Sequence, residues 1–148
     1  MDYLIDEEAA QAQIDSFYEW YGIDPEETAG VAEEEGIVAV KVMQRRLLNT
    51  FRKGFLEVQI TDGPEGTISV LQRLKHPLKD GTDMITYHEV TGRTKAAMKT
   101  SKNATDAQIL YSALATIAKA KDGVKLFMQL RGVDLKVAET LGFLLLQA

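Results

Sequence analysis

Apolar residues recur at spacings of three and four over residues 6–21 (DEEAAQAQIDSFYEWY), placing Ala10, Ile14, Phe17, Tyr18 and Tyr21 on one face. That is the period of an amphipathic helix, and Gly22 marks its stop. Asp24-Pro25-Glu26-Glu27 reads as the start of a second, short helix that ends near Glu35-Gly36. Asp caps there, Pro occupies the first turn, and the acids favour the positive end of the helix dipole. Residues 37–53 (IVAVKVMQRRLLNTFRK) predict a third helix with a buried stripe of Val40, Met43, Leu47 and Phe51, closed by Gly54. Its β-branched opening leaves a strand open as an alternative for the first few residues.

After residue 54 the period changes from 3.6 to two. Residues 55–61 alternate, 62–66 (DGPEG) turn, 67–74 alternate again, Lys79-Asp80-Gly81 turn, and 84–90 form a third alternating run. The pattern predicts a three-stranded antiparallel meander. From residue 91 onward it is helical again. Thr91–Met98 forms a short helix with Thr91 as cap. Thr105 and Gln108 match a capping box that opens a helix with the stripe Ile109, Leu110, Ala113, Leu114, Ile117 and Ala118. Gly123 and Gly132 punctuate, and Asp134 is read as the cap of the last helix. The expected fold is therefore α+β: a small three-stranded antiparallel sheet with N-terminal and C-terminal helices. It is expected as one domain over 1–148, with a helical part over 1–53 and the meander and later helices over 54–148.

Charge adds a second layer. The chain carries a net charge of −5, but unevenly. Residues 1–36 hold twelve acids and no Lys or Arg, whereas residues 37–53 hold five bases (Lys41, Arg45, Arg46, Arg52, Lys53) and no acid. Such asymmetry suggests an acidic arm folded on a basic body, or a patch for an anionic partner. Cysteine is absent, so disulfides and thiolate chemistry are excluded. No apolar run approaches the roughly 18 residues of a membrane span, and the N-terminus is acidic from its second residue. These features lead to the expectation of an intracellular, cytoplasmic protein without membrane contact.

Residues 74–98 (LKHPLKDGTDMITYHEVTGRTKAAM) hold both histidines. His76 precedes a proline, which biases it to extended backbone, and His88 falls in the third strand. Neither has neighbours at metal-ligand spacing. Thr91-Gly92-Arg93-Thr94-Lys95 lacks the frame of a phosphate loop, so the stretch reads as a hairpin feeding a helix. No nucleophile motif or carboxylate pair emerges, and the expectation is a protein without catalytic residues, metal or cofactor.

Ile68-Ser69-Val70-Leu71, then His76-Pro77-Leu78, Asp80-Gly81 and Met84-Ile85-Thr86-Tyr87, followed by helices, resembles the tail assembly chaperones of Mu-like and related contractile-tailed phages. So does the end of the chain, Gln129-Leu130-Arg131-Gly132-Val133-Asp134-Leu135 followed by the apolar run Val137–Leu146. The resemblance covers about residues 68–146. The family commonly has a Pro after the second strand, where this chain has Val90-Thr91-Gly92, and residues 1–67 have no matching counterpart.

The resemblance implies a non-enzymatic role in the host cytoplasm: binding a long helical tape-measure protein, or another tail protein, during tail assembly. The final helix carries more apolar surface than one face buries, which suits core, self-association as a homo-oligomer, or a partner helix. Val137, Leu141, Leu144 and Leu145 share the stripe assigned to the core. Phe143 and Leu146 lie off it and are the candidate partner contacts. The alternative is a nucleic-acid-binding module in which Lys41, Arg45, Arg46, Arg52 and Lys53 contact phosphates and the acidic arm shields them.

Overall fold

A computed structural model of the chain describes residues 3–22, 37–61, 66–97, 105–121 and 123–145, with the side chains at 37–43, 61, 97, 106 and 143 outside that description. In chain order the elements are α1 (Glu7–Tyr21), α2 (Ile37–Arg52), β1 (Leu56–Thr61), β2 (Thr67–Arg73), β3 (Met84–Tyr87), α3 (Gly92–Ala97), α4 (Asp106–Ile117), α5 (Lys125–Met128) and α6 (Val133–Leu145). The expected helix start at Asp24-Pro25 lies outside the described residues. So do Val40 and Met43 of the α2 stripe and most of the 62–66 turn.

The helix ends form where local chemistry satisfies their free backbone groups. Asp6 caps α1, its carboxylate accepting from Ala9 N–H at 2.7 Å, and Gly22 closes the helix at φ 68°. The capping box of α4 forms as read: Thr105 Oγ1 accepts from Gln108 N–H, and Gln108 Oε1 accepts from Thr105 N–H.

The sheet is antiparallel in the order β1-β2-β3. Its register places Leu56, Val58 and Ile60 opposite Gln72, Val70 and Ile68, and Tyr87 and Ile85 opposite Val70 and Gln72. Because side chains alternate across a strand, these residues share one face, which the helices cover except at Ile60, which is exposed. Glu57, Gln59, Ser69, Leu71, Arg73, Met84 and Thr86 share the other. There Arg73 and Glu57 make an ion pair, an exposed contact that contributes at most about 1 kcal/mol.

The third strand is shorter than its alternation suggested, ending at Tyr87 rather than Val90. The backbone groups of His88 are claimed by two helices instead. Its N–H donates to the Ile117 carbonyl at the end of α4, and its carbonyl accepts from the Tyr21 hydroxyl of α1 at 3.1 Å.

The covered face and the helices form one core. It takes Ala10, Ile14, Phe17 and Tyr21 from α1, Leu47 and Phe51 from α2, Leu114 and Ile117 from α4, and Phe127 from α5. From α6 come Val137, Ala138, Leu141, Leu144 and Leu145. Ile109, placed on the α4 stripe by periodicity, is exposed instead. On α6 a glycine sets the spacing between helices. A Cβ at Gly142 would come within 2.7 Å of Leu110 and 2.9 Å of Leu114, so α4 sits where a larger residue would exclude it. At Gly54, just past α2, positive φ (79°) and the Leu4 side chain overhead both require glycine.

Asp134 corrects the sequence reading. It lies inside α6, one residue past its start, and caps nothing on its own helix among the described bonds. Its carboxylate is buried and accepts from the backbone N–H groups of Lys75 (2.7 Å) and His76 (2.9 Å), at the end of β2. Its carbonyl accepts from Gln72 Nε2 at 2.9 Å, and Gln72 Oε1 accepts from the Tyr87 hydroxyl at 2.7 Å. Gln72 is fully buried on the apolar face of the sheet, and this chain of bonds accounts for it. Burial holds the Tyr87 phenol neutral, far above its ordinary pKa, so it serves here as a donor.

Two variants weigh this network. Asp134→Ala leaves two amides without their acceptors and is expected to cost about 3 kcal/mol. Tyr87→Phe leaves Gln72 Oε1 without its donor and is expected to cost about 1–2 kcal/mol. Urea unfolding with equal m-values measures both, and a loss below about 0.5 kcal/mol for Asp134→Ala contradicts the assignment.

Candidate functional site

The acidic α1 and basic α2 do pack together, as charge suggested, but the described contact is not built from ion pairs. Leu4 and Ile5 donate their N–H groups to the Arg52 carbonyl at 2.7 and 3.2 Å. The Arg52 guanidinium stacks 3.8 Å from the centre of the Tyr3 ring, a cation–π contact of about 0.5–1 kcal/mol in a partly exposed setting. Apolar side chains of both helices then enter the common core.

The four bases of the 37–53 run with described side chains border two different depressions. Helical geometry turns successive residues by about 100°, so Arg45 and Arg52 take one flank of α2 while Arg46 and Lys53 take the other. Arg45 and Arg52 border a depression with Glu7 and Gln11 of α1. Arg52 is half-buried, and its Nε has no hydrogen-bond partner among the described residues. Arg46 and Lys53 line a different groove, against α6. The Lys41 side chain lies outside the described residues. Four described bases divided between two faces do not make the continuous phosphate-binding surface that the charge run suggested.

The groove between α2 and α6 unites two separate sequence features, the basic helix and the apolar C-terminal helix. Its volume is about 480 Å³. Phe55, Val133 and Val137 give it an apolar floor, and Arg46, Lys53 and Lys136 supply three cations against one acid, Glu139. Thr50 and Thr140 also line it, but their hydroxyls donate to the carbonyls of Arg46 and Lys136 one turn earlier. The Asn49 amide lines it too, so the charged recognition available there is mainly cationic.

The core stripe expected on α6 is observed: Val137, Leu141, Leu144 and Leu145 are all buried. The proposed contact residues Phe143 and Leu146 lie outside the described side chains. No sequence signal singled out the groove, because its walls come from segments about 90 residues apart.

The two histidines sit apart. His76 lines a groove of about 500 Å³ with Pro77, Lys79 and Arg131, and His88 lines a separate cleft with Arg93 and Lys119. Among the described residues no three of His, Asp and Glu converge as a metal site, and no helix is long and apolar enough to cross a membrane. No family model matches the chain, and no curated protein or solved structure matches it either.

Burial, and then the charge of Lys119, hold the His88 pKa below its ordinary value. The folded state therefore binds fewer protons than the unfolded chain as pH falls through about 6.5. Stability from this source is complete above that pH and is lost toward the depressed folded value. His88→Gln should flatten the dependence: between pH 7.5 and 5.5 the unmodified protein loses more thermal stability than the variant. Equal losses contradict the assignment.

Proposed function

We propose that this protein is a non-enzymatic assembly factor of the phage tail assembly chaperone kind, acting in the host cytoplasm on a helical tail protein such as the tape measure. The observation that carries the proposal is the α2–α6 groove, with its apolar floor and its excess of Arg46, Lys53 and Lys136 over Glu139. An amphipathic helix with an acidic flank complements both features: its apolar stripe lies on Phe55, Val133 and Val137, and its acids meet the three cations. The sequence resemblance over residues 68–146 supports the same class of partner.

Phe143 and Leu146 extend this reading toward the end of the chain. Residue 143 follows Lys136 by seven and Thr140 by three, the spacings that recur along one helix face. They are proposed as apolar contacts continuing from the groove, or as contacts with a second copy. The nucleic-acid reading of Lys41, Arg45, Arg46, Arg52 and Lys53 gains no support from the division of Arg45 and Arg52 from Arg46 and Lys53.

Two sets of variants test the proposal by co-purification with tape-measure fragments. Charge reversal at Arg46, Lys53 and Lys136 to Glu should abolish capture while shifting stability little, since exposed substitutions usually change it by about 0.5 kcal/mol or less. Phe143→Asp with Leu146→Asp should reduce capture or self-association, because a charge placed in an apolar contact is left desolvated and unpaired. Undiminished capture by the folded charge-reversal variant removes the groove from the proposal. Failure of the unmodified protein to capture any fragment removes the chaperone reading itself.

A further inference from the structure

A second cleft, on the opposite end of the sheet from the β1–α2 connection, is lined by unlike chemistry. Its volume is about 520 Å³, within the range of small-ligand sites. β2 contributes Thr67 and Ser69, the segment after β3 contributes His88, Glu89 and Thr91, α3 contributes Arg93 and Thr94, and the end of α4 contributes Lys119. Three nitrogen-bearing side chains and several hydroxyls thus meet in one concavity formed by three separate segments. Neither Arg93 nor Lys119 makes an ion pair or side-chain hydrogen bond among the described residues.

The backbone at Lys119 is the second, independent observation. It has φ 52°, in the left-handed region. All the other described residues with positive φ (Gly22, Gly54, Gly81, Gly123 and Gly132) are glycines. Lys119 follows Ala118, the C-cap of α4, at the position where glycine is most favoured. A lysine there carries the cost of a left-handed backbone, and the helix end is closed across it by the Ala120 N–H on the Ala115 carbonyl. The Lys119 side chain lines the cleft, and its charge reaches His88.

From this geometry we infer that the cleft binds a small phosphomonoester, with Arg93 and Lys119 holding the phosphate and the hydroxyls of Ser69, Thr91 and Thr94 completing its surroundings. Arg presents a planar fork of donors to phosphate oxygens, and Lys presents a compact charge. Thr91 and Thr94 are already held side by side, their hydroxyls 3.0 Å apart. The volume leaves room for an organic group beyond the phosphate. Glu89 is the acid in the lining. It sets one negative charge against the two cations, and it also acts, after burial, to push the Tyr21 phenol above its ordinary pKa. Lys119 is the charge that acts on His88, Arg93 and Glu89 line the same cleft, and Tyr21 donates its hydroxyl to the His88 carbonyl. This site is separate from the α2–α6 groove and stands whether or not that groove binds a tail protein.

The two histidines make the test internally controlled. NMR titration of both imidazoles is run in millimolar inorganic phosphate and in chloride at matched ionic strength. Phosphate bound beside His88 favours its protonated form and should raise its pKa by at least about half a unit, leaving His76 unmoved. Lys119→Gly should abolish that shift while raising the melting temperature by about 2 °C, because glycine relieves the left-handed strain. Arg93→Gln should abolish the shift without that gain. The inference is overturned if phosphate moves neither histidine, if it moves both equally, if chloride reproduces the effect, or if the shift survives in Lys119→Gly.

Discussion

The Asp134 carboxylate is the constraint on which the rest of the molecule depends. It is a buried charge, and a buried charge is tolerated only where hydrogen bonds replace its water. The two amides at Lys75 and His76 supply them, at the point where β2 leaves the sheet. The same residue's carbonyl holds Gln72, which in turn holds Tyr87. One position on α6 is thereby tied to the second and third strands and to the loop between them. The polar bonds admit one register, which fits a role in specificity as well as stability.

Fixing α6 on the sheet has consequences at both of its flanks. On one side Gly142 lets α4 approach closely, and α4 ends where Ile117 and Lys119 meet the segment after β3. On the other side α6 stands against α2 and leaves the groove floored by Phe55, Val133 and Val137. The groove takes its residues from α6 directly, whereas the cleft is lined by β2, the segment after β3, α3 and the end of α4. Their chemistry differs: the first offers apolar area edged with cations, the second a cluster of hydroxyls and cations.

The α+β architecture was legible in the sequence because its signals are local. The change from a 3.6-residue to a two-residue period after Gly54, the capping box at Thr105 and Gln108, and the stripe of Val137, Leu141, Leu144 and Leu145 each lie within one element. Asp134 was misread for the opposite reason. An Asp near a helix start looks like a cap, and nothing nearby reveals that its partners are 58 and 59 residues away. Gln72 stands in phase with Ile68 and Val70 on the apolar face, and the reason a polar residue is buried there became visible only with Tyr87 and Asp134 around it. Counting bases over 37–53 joined residues that the helix turns to different flanks. His88 fits a strand by pattern, but the Ile117 carbonyl takes its N–H. Lys119 carried no signal at all, since a left-handed residue is legible only when it is glycine or asparagine.

Amide hydrogen exchange at Lys75 and His76 tests the central claim most directly. Both residues lie in a connection between strands, are exposed or half-buried, and by their position would ordinarily exchange through small local openings. If the buried carboxylate of Asp134 anchors α6 to the sheet, both amides exchange only when the whole domain opens, with free energies matching those of Val70 and Leu71 in the central strand. Exchange of these two amides at the rate of an open loop, while β2 stays protected, would contradict the account.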